Sequence, residues 1–434
     1  MTRQLNCAVF ILLFNVGFVA ANTASSDAPS AKSTEATAPV IGNQLTKAEK
    51  LEILRNIDAY HEQISSLESD EGVYGNALVE KLSSLGLSYQ YLGQHNKAID
   101  VFKRAIHVNR VNDGLYSEGQ VPILQRQIAS HIALGQWKDV SQKYGYLYWL
   151  NSKNYGKDDP RMLATFDQLS RWHLQAYSMR FGKDRIEVTK HLITAHDYIE
   201  RSIALLEQNQ NEPNAEQKLI QELNELTATN YLFATFQRGT SMRSNTGTVA
   251  DPEARNAAMI IDHYITRSFR SGKKALDRVI EIYSQSETAP PWAVAKAKVR
   301  MADWLFLFNK KAAAFDLYAE AYAQLTEDEA NRGHLEATFG RPVALPKLEL
   351  IDSGQYSETD SGFYDKSANY VLASFDVTPQ GNAANIEIID SKPEDNTSAR
   401  SQVKRSLRIA KFRPRFEQGQ PALTEKMKLR VLSR

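Results

Sequence analysis

Two hydrophobic periodicities divide this chain. From residue 46 to about residue 327, apolar residues recur every three or four positions, which predicts helices throughout. Thr46 and Glu49 form a capping-box pattern at the start of this region. Over residues 369–434, apolar residues alternate with polar ones in two runs around a turn that contains Pro379 and Gly381, and again near the end. A basic helix separates the second and third runs, so the C-terminal stretch predicts a β-β-α-β module.

The last alternating run defines two faces of the third strand. One face is apolar and contains Met427, Leu429 and Val431, and the other contains Lys426, Lys428 and Arg430. This alternation predicts a sheet with one buried and one solvated side. If this strand lies at the sheet edge, it can accept an added peptide strand, and its cations favour acidic peptides. The alternative is that these cations only prevent edge-to-edge aggregation.

The C-terminal stretch resembles the C-terminal domain of the TonB family of periplasmic energy transducers. The resemblance covers about the last 66 residues and is carried by the phrases YVLASFDVTPQGNAANIEIIDS, AKFRPRF and GQPAL in that order. The Tyr-Pro element that family members carry before the first strand is absent here. The resemblance implies contact with a short segment of an outer-membrane transporter by strand addition, and transmission of force from the inner membrane.

The helical region contains tetratricopeptide-like packing positions. Residues 79–112 match one 34-residue repeat, in which small residues stand where two helices cross and aromatic residues fill the adjacent space; the residues are Leu85, Gly86, Tyr89, Ala98, Phe102 and Ala105. A weaker copy aligns Gly135 with Gly93, and another spans 295–327. Helices near 159–182, 184–209, 214–238 and 252–286 lack this pattern, with a loop at 239–251. We therefore predict an irregular α-solenoid whose groove binds protein partners.

The N-terminus has the features of an export signal. An apolar run from Ala8 to Ala21 follows Arg3, and its small final residues fit cleavage after Ala21. Residues 1–21 are predicted to be a signal peptide and residues 22–43 a disordered tether. The alternative is that residues 8–21 remain as an inner-membrane anchor, although the run is shorter than a bilayer span. The only cysteine, Cys7, would leave with the signal peptide.

Composition narrows the choice of partners. The 434 residues are 42% hydrophobic and 24% charged, with a net charge of +1, so nothing favours nucleic acid as a partner. Membrane contact is expected only through the signal segment or a partner. Residues 328–368 are rich in Gly, Pro, Ser and Asp and are predicted to be a linker, within which the apolar stretch Val343 to Ile351 is a candidate strand.

We found no pattern typical of an active site. His191 and His196 are five residues apart and share a helical face poorly, so together with Glu200 they make a poor metal site. Phosphate-binding loops, nucleophile elbows and paired carboxylates in a recognisable cleft are absent from the sequence. The prediction is a protein that is not an enzyme and uses no cofactor and no metal.

Together these patterns predict a multidomain chain: an α-helical TPR-like solenoid at 44–327, a linker, and a small α+β TonB-like domain of β-β-α-β order at 369–434. We expect an exported, periplasmic adaptor whose TonB-like domain contacts an outer-membrane transporter or another envelope partner, in connection with TonB-dependent uptake. Two alternatives remain open. One is a TonB-type transducer anchored in the inner membrane and facing the periplasm, and the other is a structural envelope scaffold without a transport role.

Overall fold

The computed structural model describes residues 45–209, 214–235, 252–346 and 369–432. They belong to two compact units that divide between Asn209 and Gln210. The predicted signal peptide with its cleavage site at Ala21, the tether at 22–43 and the loop at 239–251 lie outside the described residues. Among the helices described, none has both the length and the apolar character needed to cross a bilayer.

Antiparallel helices build the first unit. They are α1 (Lys47–Glu71), α2 (Leu78–Tyr91), α3 (His95–Asp113), α4 (Gln120–Ala133), α5 (Trp137–Tyr155), a 3-10 turn (Pro160–Met162), α6 (Leu163–Ser178) and α7 (Arg185–Gln208). The predicted capping box is present, since the Glu49 amide donates to Thr46 Oγ1 at 3.3 Å and the Thr46 amide donates to Glu49 Oε2 at 2.7 Å. Neighbouring helices from α1 to α5 pack in sequence order, as do α6 and α7.

A spacing of 42 residues relates the two central hairpins. α2 begins at Leu78 and α4 at Gln120, while α3 ends at Asp113 and α5 at Tyr155. The residues that cap α1, α3 and α5 have the same spacing and all have positive φ, namely Gly72, Gly114 and Gly156. The 34-residue pattern predicted over 79–112 therefore covers one hairpin, and the loop that follows lengthens the period to 42.

The second unit begins with longer helices. They are α8 (Ala215–Thr235), α9 (Pro252–Gln285), α10 (Trp292–Leu307), α11 (Lys311–Thr326), a 3-10 turn (Glu329–Asn331) and α12 (Arg332–Phe339). The pairs α8–α9, α9–α10 and α10–α11 pack side by side. Ala302, Ala314 and Ala321 are fully buried where α10 and α11 cross, together with Tyr318. Small residues allow this close approach, as in the weaker copy predicted over 295–327.

Strands follow, within residues 343–345 and 370–432. They are β1 (Val343–Leu345), β2 (Tyr370–Val377), β3 (Ala383–Lys392), then α13 (Thr397–Ile409), β4 (Lys411–Arg413), β5 (Arg415–Glu417), β6 (Gln420–Ala422) and β7 (Thr424–Leu432). The main sheet has the antiparallel order β3-β2-β7, while β1 pairs with β4 and β5 with β6. The expected β-β-α-β order is present, with three short strands inserted before the last. We call residues 369–432 the C-terminal module.

One face of the main sheet is covered by α13. Val403 and Leu407 of that helix pack on β2 side chains that are 0–2% exposed, namely Val371, Ala373, Phe375 and Val377. The alternation along β2 is complete, with every second residue buried. Asn396 caps α13, because its side chain accepts a hydrogen bond from the Ala399 amide at 3.0 Å.

Part of the predicted linker is folded. Residues 329–339 form the 3-10 turn and α12, and β1 pairs with β4 so that Val343 lies opposite Arg413. Phe339 and Leu345 are buried in the core of the second unit. The Gly, Pro and Ser content suggested a linker, but these two apolar residues find partners that are distant in sequence. Residues 347–368 lie outside the described part.

Candidate functional site

Strand β7 is an edge of the main sheet. It pairs with β2 on one side, and among the described strands none pairs with its other side. Met427, Leu429 and Val431 are half-buried against the core beneath α13, whereas Lys426 and Lys428 are exposed. An edge strand offers outward N–H and C=O groups that an added strand can pair with.

The three cations of β7 have different surroundings. The Arg430 guanidinium lies 4.0 Å from the centre of the Tyr370 ring, and the Tyr370 hydroxyl donates to Asp390 at 2.5 Å. That hydrogen bond, more than burial, raises the pKa of Tyr370. Lys426 has a positive φ of 53°. Lys428 is exposed on regular strand between them, and this makes it the best placed of the three to meet an incoming peptide.

The start of β7 is fixed by a carboxylate. The Lys426 amide donates to Asp376 Oδ1 at 2.8 Å, and the Asn385 side chain donates to Asp376 Oδ2 at 2.6 Å. These hydrogen bonds, with that from Asn385 the larger, lower the pKa of Asp376. Beside this point is an open depression of about 470 Å³ lined by Gly340, Arg341, Pro342, Arg415, Leu423, Thr424, Glu425 and Met427. The recess therefore adjoins the start of β7.

The C-terminal module is attached to the helices by residues 411–416, which overlap the AKFRPRF phrase. Lys411 Nζ donates to the carbonyls of Phe306 and Leu307 at 3.1 and 2.8 Å, and to Asn309 Oδ1 at 2.7 Å. These carbonyls end α10, where helix carbonyls lack intrahelical partners and favour a cation. Lys411 therefore caps α10 from a distant part of the chain.

Arg413 makes the second attachment, through a buried ion pair. Its Nη1 donates to Asp303 Oδ2 at 3.4 Å, and the two side chains are 5% and 14% exposed. The Tyr318 hydroxyl donates to the other oxygen of Asp303 at 2.6 Å. Burial and the Asp303 charge raise the pKa of Tyr318 well above its usual value. The arginine of the Phe-Arg-Pro segment is thus used inside the protein, and is not available to a partner.

Phe416 completes the attachment with aromatic packing. Its ring centre lies 5.8 Å from that of Tyr318, 6.1 Å from Tyr322 and 4.9 Å from Phe339. Ring pairs at such distances add stability beyond the area that they bury. The attaching role of the AKFRPRF phrase could not be foreseen from the sequence, because neither Asp303 nor Phe339 carries a local signal that points to it.

Gly381 allows the turn between β2 and β3 to approach this attachment. It has φ of +72°, and a Cβ there would lie 2.2 Å from the Phe412 carbonyl oxygen and 2.7 Å from the Phe306 ring. Its own carbonyl accepts a hydrogen bond from the Phe412 amide at 2.9 Å. Only glycine satisfies both the backbone conformation and the space.

In the first unit the six predicted packing residues lie together in one core, at the crossing of α2 and α3. Leu85, Tyr89, Ala98, Phe102 and Ala105 are each at most 8% exposed. A Cβ on Gly86 would lie 2.4 Å from the Phe102 ring, which explains why this position requires glycine. These residues support the hairpin and do not line a binding surface.

A groove of about 440 Å³ with a mixed apolar and polar lining lies in the second unit, between α8, α9 and α10. Its polar lining consists of Gln217, Gln221, Asn224, Thr227, Glu225, Tyr283, Arg300 and Asp303. Burial lowers the pKa of Arg300. The amides of Gln221 and Asn224 donate within α8, to Glu225 Oε1 at 3.2 Å and to the Ile220 carbonyl at 2.7 Å. The groove is a candidate surface for protein partners through its apolar as well as its polar residues.

The histidines of α7 fall into different environments. His196 is buried, and its Nδ1 lies 3.8 Å from Glu200 Oε2. Ligand-type atoms of His196, Asp197 and Glu200 lie within 4.8 Å of one another. His191 instead faces His173 of α6, a residue with no distinguishing pattern in the sequence. No short-range pattern joins these two, since they come from different helices.

No family model matches the chain, and no curated protein matches it. Among solved structures, the nearly identical TPR-like repeats described as kinesin light chain from Podosopora anserina are 12% identical to this chain, with a TM-score of 0.37; the match covers 58% of this chain and 98% of that one. BtubC (BKLC) from P. vanneervenii is 12% identical, with a TM-score of 0.36 and coverage of 65% and 91%. These neighbours are TPR-like repeat proteins. At such TM-scores they add nothing about function, and the helix hairpins described above stand on their own geometry.

Proposed function

We propose that this chain is a non-enzymatic protein-interaction adaptor whose C-terminal module binds an extended segment of a partner along β7. The observation that carries the proposal is the position of β7 at the edge of the main sheet, with Lys428 exposed beside half-buried Leu429. A peptide strand added there gains backbone hydrogen bonds whatever its sequence, and its side chains meet the faces of β7. The favoured partner segment is acidic and extended.

The two edges of the main sheet provide an internal contrast. The β7 edge carries exposed Lys426 and Lys428 with one acid, Glu425. The opposite edge, β3, carries exposed Glu387 and Asp390 with one base, Lys392. Charge complementarity therefore directs an acidic peptide to β7 and away from β3. This contrast makes the proposal testable by exchanging charges without touching the core.

The test measures the binding of two labelled peptides, one alternating glutamate with valine and the other alternating lysine with valine. The acidic peptide is expected to bind the wild-type protein, and the double variant K426E/K428E to bind it at least about tenfold more weakly, equivalent to about 1.4 kcal/mol. The matched control is E387K on β3, which leaves this affinity unchanged. Equal affinity of wild type and K426E/K428E for the acidic peptide would exclude the β7 edge.

We further propose that the protein is exported to the periplasm after cleavage at Ala21, and that the partner segment belongs to an outer-membrane transporter in TonB-dependent uptake. The TonB resemblance and the N-terminal pattern support this. The N-terminal residue and fractionation of the native protein test export: a chain starting near Asn22 in the soluble periplasm supports it, and an intact Met1 chain in the inner membrane supports the anchored transducer instead. Unchanged uptake of iron chelates in K426E/K428E cells would contradict the transport role.

A structural role for the C-terminal module is the second candidate, and a specific observation favours it. Lys411, Arg413 and Phe416 attach the module to α10, α11 and α12, as a terminal cap of a helical stack would be attached. Deleting residues 369–434 would expose Tyr318 and Phe306. A loss of function in such a deletion variant could therefore come either from lost partner binding or from misfolding of the helices. The charge exchange on β7 separates the two candidates, because a cap tolerates it and a docking edge does not.

A further inference from the structure

We propose that His173 of α6 and His191 of α7 form a binding site for a divalent transition-metal ion of the copper class. The Nδ1 atoms of the two rings lie 2.8 Å apart. The ring centres are 5.0 Å apart with an interplanar angle of 39°. Two ring nitrogens on different helices therefore lie close enough together to bind one ion, and this site is separate from the β7 edge.

The spacing fits a metal ion with right-angled bonds. Two nitrogen ligands at about 2.0 Å from one ion and at right angles to each other are about 2.8 Å apart. Tetragonal coordination of this kind is preferred by Cu²⁺ and Ni²⁺, whereas tetrahedral Zn²⁺ requires a wider separation. Copper also binds nitrogen ligands most tightly among the divalent ions of this series. Cu²⁺ therefore combines the bond angle that this separation can accommodate with the highest affinity for nitrogen ligands.

Both rings are in the neutral form that metals require. Burial, together with the neighbouring His191, lowers the pKa of His173 to about 4, and burial lowers the pKa of His191. Without metal, one Nδ1 donates its proton to the other. When an ion binds, this proton moves to Nε2 of the same ring, which neutral imidazole allows without a change in charge.

The aromatic residues around His173 and His191 favour ion binding but leave the site open to solvent. Trp172, Phe181 and Tyr198 lie with ring centres 5.7–6.4 Å from one or other imidazole, which limits water around the two nitrogens. Both imidazoles remain half-buried, so solvent reaches them. Glu187, one helical turn before His191, is near enough that its charge acts to raise the pKa of His191. The Glu187 carboxylate itself accepts a hydrogen bond from the Lys183 amide at 2.8 Å, so water is the group that would complete the coordination.

The test uses the protein purified without a polyhistidine tag and titrated with Cu²⁺. Trp172 is a built-in reporter, since its ring centre is 6.4 Å from that of His191 and bound Cu²⁺ quenches tryptophan emission. We expect saturable 1:1 quenching and a copper EPR spectrum that shows two imidazole nitrogens. H173Q and H191Q are each expected to bind Cu²⁺ at least about tenfold more weakly and to leave at most one imidazole nitrogen on the ion.

The matched control is E200Q, which removes the carboxylate from the group of His196, Asp197 and Glu200 on the same helix. E200Q is expected to bind Cu²⁺ as the wild type does. The proposal is overturned if E200Q abolishes binding, if H191Q binds normally, or if the wild-type spectrum shows fewer than two imidazole nitrogens. The last result decides the matter even if a histidine variant fails to fold.

Discussion

The hairpins of the first unit and the attachment of the C-terminal module are held by contacts of different range and polarity. In the first unit, α2 and α3 are close in sequence and pack through apolar and small residues such as Phe102 and Gly86. The module instead depends on Lys411 and Arg413, whose partners on α10 lie more than 100 residues earlier. Local apolar packing can be read from periodicity, whereas a distant ion pair cannot.

The two regions should also lose stability differently when their side chains are substituted. An apolar hairpin loses stability gradually as its side chains shrink, because each contributes part of a shared core. A buried ion pair contributes in one step, since removal of one partner leaves the other charged and unsatisfied and lowers the stability sharply. Four substitution experiments test this difference.

The largest expected effect is that of D303A. Removing this carboxylate leaves the Arg413 guanidinium, 5% exposed, without its acidic partner, and we expect the second unit to lose about 3–5 kcal/mol. Hydrogen exchange in the full-length protein should show faster exchange in β2 and β7 and unchanged exchange in α2–α5. An equal increase of hydrogen exchange in both regions would show that they are not held independently.

G381A should destabilise the C-terminal module by roughly 3 kcal/mol. The added Cβ meets the Phe412 carbonyl oxygen at 2.2 Å, and the positive φ adds strain. G419A is the matched control, since its φ of +79° is similar but its nearest neighbour, the Tyr322 ring, is 3.7 Å away. Denaturant unfolding should give a loss of roughly 1 kcal/mol for G419A, and equal losses would show that close approach contributes nothing.

The His173 and His191 pair gives the first unit a pH dependence. Because the pKa of His173 is lowered to about 4 in the folded chain, the unfolded chain binds more protons below pH 6.5. Stability is therefore complete above pH 6.5 and falls as the pH drops toward 4, by roughly 2 kcal/mol between pH 7 and pH 5. Thermal unfolding of wild type and H173Q at a series of pH values measures this. Parallel curves for the two proteins would contradict it.

The smallest effects concern the two helical glycines of the first unit. G86A places a Cβ 2.4 Å from the buried Phe102 ring and should cost roughly 2 kcal/mol. G145A meets nothing within 4 Å and should stabilise its helix by about 1 kcal/mol. The unfolding free energies of the two variants should thus shift in opposite directions. A shift in the same direction would show that the crossing of α2 and α3 accommodates a methyl group at residue 86.

Some of the candidate site was predictable and some was not. The faces of β7 follow from strict alternation, so Lys428 and Leu429 could be placed on opposite sides before the structure was known. The sequence could not show whether β7 lies at the edge of the sheet, because strand order depends on pairing between distant segments. The three cations looked equivalent in the sequence, but Arg430 stacks on Tyr370, a residue 60 positions earlier.

By itself, the sequence determined the helices, their small crossing residues and the β-β-α-β order, since each depends on neighbours within one or two turns or along one strand. Only the tertiary structure decided the folding of residues 329–345 and the internal use of Arg413. It also brought His173 to His191. These features require groups from separate segments to meet, and the free energy of such contacts depends on distance and burial, which leave no periodic trace in the order of residues.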